Sequence, residues 1–203
     1  MDQPTEGALL ERARQGDHDA FSILVERHKD ALVNYLTHLC RDHGRAEEIA
    51  QDAFVRLYRA GGRYQDREVL GPLLFRIATN TFRSEERRSR RWARLLMLVS
   101  TDEPQFESPQ KVLLQDEICN LVSDALASLP LPYRAALVLR EIEGWSHQEI
   151  GEALGCRIGT VKSRIARGRE LLRQILSPYW NGVNHGTEPR EAVAVAATHQ
   201  RIS

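Results

Sequence analysis

The sequence predicts an all-α protein of two small helical domains joined by a flexible polar linker, on three observations. Apolar residues recur at helical spacing through most of the first 94 residues and again from 116 to 177. Between them, the stretch STDEPQFESPQ carries two prolines, several acids and no apolar period. The segment from Trp145 to Leu172 reads as two short helices around a glycine-containing turn. The expected organisation is a first domain at 1–94, a linker at 95–115, a second domain at 116–177 and a disordered tail at 178–203.

In chain order, Leu9, Leu10 and Ala13 make one face of a short first helix that Gly16 ends, and Asp17 is placed to cap the next. From Ala20 to Leu39, Phe21, Leu24, Val25, His28, Leu32, Tyr35, Leu36 and Leu39 form an apolar stripe. Asp42 to Arg45 breaks that helix. A third helix, Arg45 to Ala60, should bury Ile49, Ala53, Phe54 and Leu57 and leave Glu47, Glu48, Gln51, Asp52 and Arg56 on its other sides. Gly61 and Gly62 stop it, and 63–71 has no period and reads as a loop holding Tyr64. Pro72 then suits the first turn of a helix, where its missing donor costs nothing. That helix is expected to run to about Arg91, with Leu73, Leu74, Ile77, Ala78 and Phe82 toward the core and an arginine-rich end, RSEERRSRR.

Beyond the linker, Asp116 to Leu129 returns to helix, Leu129-Pro130-Leu131-Pro132 forces a turn, and Tyr133 to Glu143 is helical again. Ser146 with Glu149 three residues on is a capping box, which starts a helix at His147. Gly155 ends it at Leu154, since a residue without Cβ adopts the left-handed conformation cheaply. The following helix starts near Ile158 and should bury Ile158, Val161, Ile165, Gly168, Leu172 and Ile175. Thr160, Ser163, Arg167 and Glu170 then face outward, with Lys162 and Arg169 on one flank and Arg164 on the other. Two helices, a tight turn and a basic outer face make a helix-turn-helix whose second helix fits a DNA major groove. The same pattern also suits an arginine-rich surface helix in another all-helical domain. Past Leu176 the chain passes into the tail, where 191–197 has weak helical character.

The 203 residues have zero net charge, with basic residues gathered at Arg83 to Arg94 and Arg157 to Arg173. Two basic patches on a neutral chain point to local DNA contacts with acidic surfaces for other partners. No apolar run approaches a membrane span, and Met1 to Gly16 does not resemble a secretory signal. The three cysteines, Cys40, Cys119 and Cys156, are far apart, a reduced cytoplasmic usage in which Cys119 and Cys156 are expected to be packed. His38, Cys40 and His43 lack a second ligand pair, so no metal site is expected. No phosphate loop, HExxH, GxSxG or carboxylate pair stands out, so neither catalysis nor a cofactor is expected.

Two sets of motifs together resemble one family, the extracytoplasmic-function group of bacterial RNA polymerase sigma factors in the sigma-70 family. The first set is GDHDAFSILVERH, AEEIAQDAFVRLYRA and FRIATNTFRSEERR; the second is LPLPYRAALVLREIEGWSHQEIGEALGCRIGTVKSRIARGRELL. The match covers roughly residues 5 to 176. It implies a first domain, sigma region 2, that binds core RNA polymerase and the promoter −10 element, and a second, region 4, that reads the −35 element. Matching positions make Glu48, Gln51, Asp52 and Arg56 polymerase contacts. They place Tyr64, Ile77 and Asn80 around a pocket for a flipped base, with Arg76, Arg83, Arg87 and Arg88 on the neighbouring backbone. Lys162, Ser163, Ala166 and Arg167 match base-reading positions, while Arg164 and Arg169 are assigned to phosphates. Extruding a base costs a few kcal/mol, and stacking or hydrogen bonding in a pocket returns about 1–3. The resemblance also implies an anti-sigma partner.

The chain departs from the family pattern at Ala166, where some members carry a larger side chain, and at two further places. Leu73 stands where a Trp is usual, and the preceding loop reads RYQDREVLGP. The competing class is a freestanding helix-turn-helix regulator, which binds duplex operator by itself, usually as a symmetric dimer. The chain shows no evident dimer seam.

Overall fold

A computed structural model describes residues 4–60, 70–97 and 114–180. The described regular structure is helical: α1 (Glu6–Arg14), α2 (His18–Cys40), α3 (His43–Ala60), α4 (Leu70–Met97), α5 (Leu114–Ser128), α6 (Leu131–Leu137), a π-helical turn (Val138–Ile142), α7 (His147–Leu154) and α8 (Ile158–Trp180).

The first four helices form the N-terminal domain. Thr5 caps α1, its hydroxyl accepting from the Ala8 amide at 3.3 Å. Asp17 caps α2 as the sequence predicts, accepting from the Ala20 amide at 3.0 Å while its other oxygen takes the Arg12 guanidinium. Asp42 accepts from the Arg45 amide at 3.0 Å, and α3 accordingly begins at His43, two residues earlier than the sequence reading has it. The core is the apolar set of Leu9, Leu24, Leu36, Ile49, Leu57, Leu74 and Phe82 with their neighbours. Tyr35 is wholly buried, its hydroxyl 2.8 Å from Thr79 Oγ1, which in turn donates to the Phe75 carbonyl. A buried hydroxyl needs such a partner. Pro72 lies in the first turn of α4, and the helix runs on past Arg91 to Met97.

In the C-terminal domain α5 ends at Ser128 and α6 starts at Leu131, with Pro130 in the break between them and Pro132 in the first turn of α6. The expected helix from Tyr133 to Glu143 is corrected. α6 stops at Leu137 and the chain widens into a π turn, closed by the Glu143 amide on the Val138 carbonyl at 3.1 Å. Two positions expected in the core of α8 are also exposed, Ile158 by 46% and Ile175 by 36%. Ile158 is the first residue of the helix, ahead of its packed turns, and near the far end burial follows Leu172 and Leu176.

The two domains pack on each other. α7 lies along α4, and the Trp145 ring stands 4.6 Å from the Phe75 ring, which also stacks on Tyr35. Asn34 of α2 donates to Glu143 at 2.7 Å, and Arg41 pairs with Asp124. The Arg134 guanidinium donates to the Leu39 carbonyl in the first domain and to the Ala127 and Leu129 carbonyls in its own. The linker from 98 to 113 and the tail beyond Trp180 lie outside the described residues. None of the described helices is long and apolar enough to cross a membrane.

Candidate nucleic-acid interface

The helix-turn-helix is built from its caps. Ser146 Oγ accepts from the Glu149 amide at 3.2 Å, and the Glu149 carboxylate accepts from the Ser146 amide at 2.8 Å. Those two bonds hold the Glu149 carboxyl below its ordinary range. Gly155 closes α7 at φ 60°, the left-handed conformation its position requires. α8 then packs Val161, Ile165, Gly168, Leu172 and Leu176 inward. A Cβ on Gly168 would lie 2.8 Å from Leu137 Cδ1, so α8 packs close on α6 and any side chain there would require Leu137 to shift.

Lys162, Ser163, Ala166, Arg167 and Arg169 are all exposed on the opposite side of α8. Lys162 and Arg167 make no hydrogen bond or ion pair among the described residues, so both are available to a ligand. Ser163 donates to the Thr160 carbonyl at 2.9 Å. Arg164 is half-buried, and one of its guanidinium nitrogens lies 3.4 Å from Cys156 Sγ, which turns it toward the interhelical turn. Arg169 pairs with Glu141, Nε to Oε1 at 3.0 Å.

On α4, Arg76, Asn80, Arg83 and Arg87 recur at spacings of four, three and four, which places them on one stripe; Ile77 and Arg88 flank it. Asn80, Arg87 and Arg88 are exposed, whereas Arg76, Ile77 and Arg83 are half-buried. Of the acids in this segment, Glu85 and Glu86 both meet Arg45 of α3, at 3.5 and 3.6 Å, and Glu86 also lines a cleft together with Arg83 and Arg87. Within the arginine run, Arg90 pairs with Glu86 at 3.4 Å. The stripe is therefore positive although the local sequence is mixed. Tyr64 lies outside the described residues.

Glu48, Gln51, Asp52 and Arg56 share the exposed side of α3, with Asp52 and Arg56 bonded at 2.9 Å. Phe54 is buried beneath them, its ring edge-on to Phe21. Sequence reasoning missed three exposed apolar residues beside these sites: Val55, 44% exposed, and Tyr58 near it on α3, and Trp92, 58% exposed, beyond the arginine run. Val55 was legible from its spacing, four residues from Gln51 and three from Asp52. His38 and His43 separate by environment, the first buried and the second exposed. Among the described residues no group of His, Cys, Asp or Glu is placed to hold a metal.

A capped helix-turn-helix with an open basic face, joined to a four-helix domain that carries its own cationic stripe, defines a DNA-binding transcription protein. The chain matches Sigma-70 region 2 over residues 24–93 and Sigma-70 region 4 over residues 119–172. It is similar to the RNA polymerase sigma-H factor of Pseudomonas aeruginosa, 33% identical over 88% of this chain and 97% of that protein. Similarity extends to the ECF RNA polymerase sigma-E factor of Haemophilus influenzae, 30% identical over 87% of this chain and 98% of that one. Among solved structures it resembles the sigma factor RpoE of Bartonella quintana in complex with the anti-sigma factor NepR, with a TM-score of 0.62 and 26% identity over 77% of this chain and 96% of the other. CnrH in complex with the cytosolic domain of CnrY gives a TM-score of 0.63 and 27% identity over 85% and 97%. The chain belongs to the extracytoplasmic-function group of the sigma-70 family: it is an RNA polymerase sigma factor with regions 2 and 4, and the family has no catalytic activity of its own.

Proposed function

We propose that this sigma factor works in the cytoplasm on core RNA polymerase by a division of labour among its three exposed faces. Glu48, Gln51, Asp52 and Arg56 dock α3 on the polymerase, with Val55 supplying apolar contact between them. The α4 stripe holds the −10 strand: Arg83, Arg87 and Arg88 grip phosphates with Arg76 beside them, and Asn80, Ile77 and Tyr64 receive an extruded base. Energy returned by base capture offsets the unstacking cost, so strand opening needs no ATP. α8 enters the major groove at −35, with Arg167 as the main reader among Lys162, Ser163 and Ala166, and Arg169 and Arg164 toward phosphates. An arginine grips guanine O6 and N7 with two hydrogen bonds.

The observation that carries the −35 assignment is that Lys162 and Arg167 are exposed and, among the described residues, unpaired, on a helix whose other side is packed. An anti-sigma partner belongs to the same reading, because the similar solved structures are such complexes. The test is run-off transcription from a promoter library with purified core polymerase, with and without the full chain. Specific transcripts that appear only on its addition support the reading. Tight, core-independent binding to duplex DNA without transcripts refutes it.

A further inference from the structure

Between the arginine-rich part of α4 and the α5–α6 turn lies an open cleft of about 720 Å³. Small-molecule sites run from about 300 to 1,000 Å³, so the space suits a ligand much larger than a single ion. From α4 the cleft is lined by Arg83, Arg87 and Arg90, whose spacings of four and three keep all three on one side of the helix. From the second domain it is lined by Pro130, Leu131 and Pro132, with Arg134. One contribution is cationic and the other is largely apolar.

The cleft holds more positive charge than its carboxylates answer. Glu86 is the acid among the lining residues, and its carboxylate is already shared between Arg90 at 3.4 Å and Arg45 at 3.6 Å. The guanidinium groups of Arg83 and Arg87 have no ion pair or hydrogen bond among the described residues. Arg134 donates to the main-chain carbonyls of Leu39, Ala127 and Leu129, its buried Nε has no partner, and no carboxylate meets it among the described residues. Burial accordingly pushes its pKa below the ordinary range. A desolvated cation without a counter-charge is costly, so an anion entering the cleft is favoured.

We propose that this cleft is a binding site for a nucleoside polyphosphate, its phosphates held by Arg83 and Arg87 in the field of Arg134 and its base laid against Pro130, Leu131 and Pro132. Planar guanidinium forks match phosphate oxygens two at a time, and they also stack on flat rings. A bare phosphate chain would use the arginines and leave the apolar lining wet. A ligand with both a charged and a flat apolar part covers both. Arg83 and Arg87 are also −10 candidates, so a bound nucleotide and the −10 strand exclude one another. That consequence rests on the functional reading above, whereas the site itself does not.

The test is calorimetric titration of the full chain with guanosine triphosphate (GTP), and with inorganic tripolyphosphate as the probe that lacks a base. GTP should bind one to one and several-fold tighter than tripolyphosphate. Arg87→Ala, at an exposed position that the fold does not use, should weaken GTP about tenfold or more, the usual loss of a charged hydrogen bond. Leu131→Glu sets a carboxylate on the apolar lining, spares every proposed DNA and polymerase contact, and should weaken GTP at least as much. Absence of saturable binding overturns the proposal, as do equal affinities for the two probes, or GTP binding that Arg87→Ala leaves unmoved. Should Leu131→Glu fail to fold, Arg87→Ala decides alone. A labelled −10 strand, taken from promoters that the run-off library selects, should be released from the chain by GTP at the concentrations that fill the cleft. A strand that stays bound overturns the exclusion. A library without transcripts refutes the functional reading alone, since the titrations decide the site without it.

Discussion

Gly151 and Cys156 meet backbone to backbone across the interhelical turn. The Cys156 amide donates to the Gly151 carbonyl at 2.9 Å, and a Cβ on Gly151 would lie 2.9 Å from the Cys156 carbonyl oxygen. A main-chain oxygen has no rotamer by which to withdraw, so a methyl there forces the two helices apart. Gly151→Ala gains about 1 kcal/mol of helix propensity and loses about 1–3 to overpacking. The expected outcome is net destabilisation with loss of −35 binding, read by thermal unfolding and by DNA affinity. An alanine variant as stable as the wild type would show that the turn yields.

The capping box gives a second prediction. Ser146→Ala should cost about 1 kcal/mol, measured by denaturant unfolding. The same bonds set a pH dependence. The folded chain holds the Glu149 carboxyl below its ordinary 4.5, so its contribution is present above that value and is lost as pH falls through the folded pKa. The stability difference between wild type and Glu149→Gln should therefore narrow on acidification below about pH 4.5; a constant difference would place the effect elsewhere.

The helix-turn-helix was legible because its signals are local. Ser146, Glu149 and Gly155 mark the ends of α7 within a few residues, and the structure places the helix at His147–Leu154 as read. The polar side of α3 and the stripe on α4 were legible for the same reason, through period alone. The domain seam was not. Trp145 and Phe75 lie seventy positions apart in the sequence, and neither breaks the pattern of its own segment. Arg134 likewise reads as an ordinary surface arginine, although it bonds the Leu39 carbonyl of the other domain. The π turn escaped because it preserves the apolar run Val138, Leu139, Ile142 and changes only the backbone register. Gly151 carried a signal, a glycine inside a strong helical pattern, which marks close approach.

Acid should weaken the native fold through His38. Its side chain is 5% exposed, Nε2 has no hydrogen-bond partner among the described residues, and burial pushes its pKa from 6.5 down to about 4. The folded chain thus favours the neutral ring. Stability is complete above the unfolded pKa of 6.5 and falls as pH drops from there toward 4, because the unfolded chain takes up the proton first. The loss between pH 7 and pH 5 comes to about 2 kcal/mol. His38 lies one turn from Asn34 on α2, so part of this loss should appear as loosening of the seam. His38→Gln should flatten the slope of unfolding free energy over that interval, which is the quantity to read because the substitution has its own packing cost. An unchanged slope would remove His38 as its source.

Arg167 and Arg169 should differ in kind as well as in degree. Arg167 is exposed and unpaired among the described residues, on the outer side of α8, whereas Arg169 is tied to Glu141, whose side chain is only 10% exposed. A base-reading arginine contributes about 1–3 kcal/mol of discrimination at one position. Arg167→Ala should therefore weaken the best −35 sequence most and leave poor sequences nearly unchanged, flattening preference at one base. Arg169→Ala should weaken all sequences about equally and lower the salt slope of binding by about 1. Its effect at fixed salt should be the smaller, since the wild-type guanidinium divides itself between phosphate and Glu141. Affinities across a −35 library at two salt concentrations separate these outcomes. Uniform weakening by Arg167→Ala would identify that residue as a phosphate contact and move base reading to Lys162, which is also exposed and unpaired among the described residues on this side of the helix.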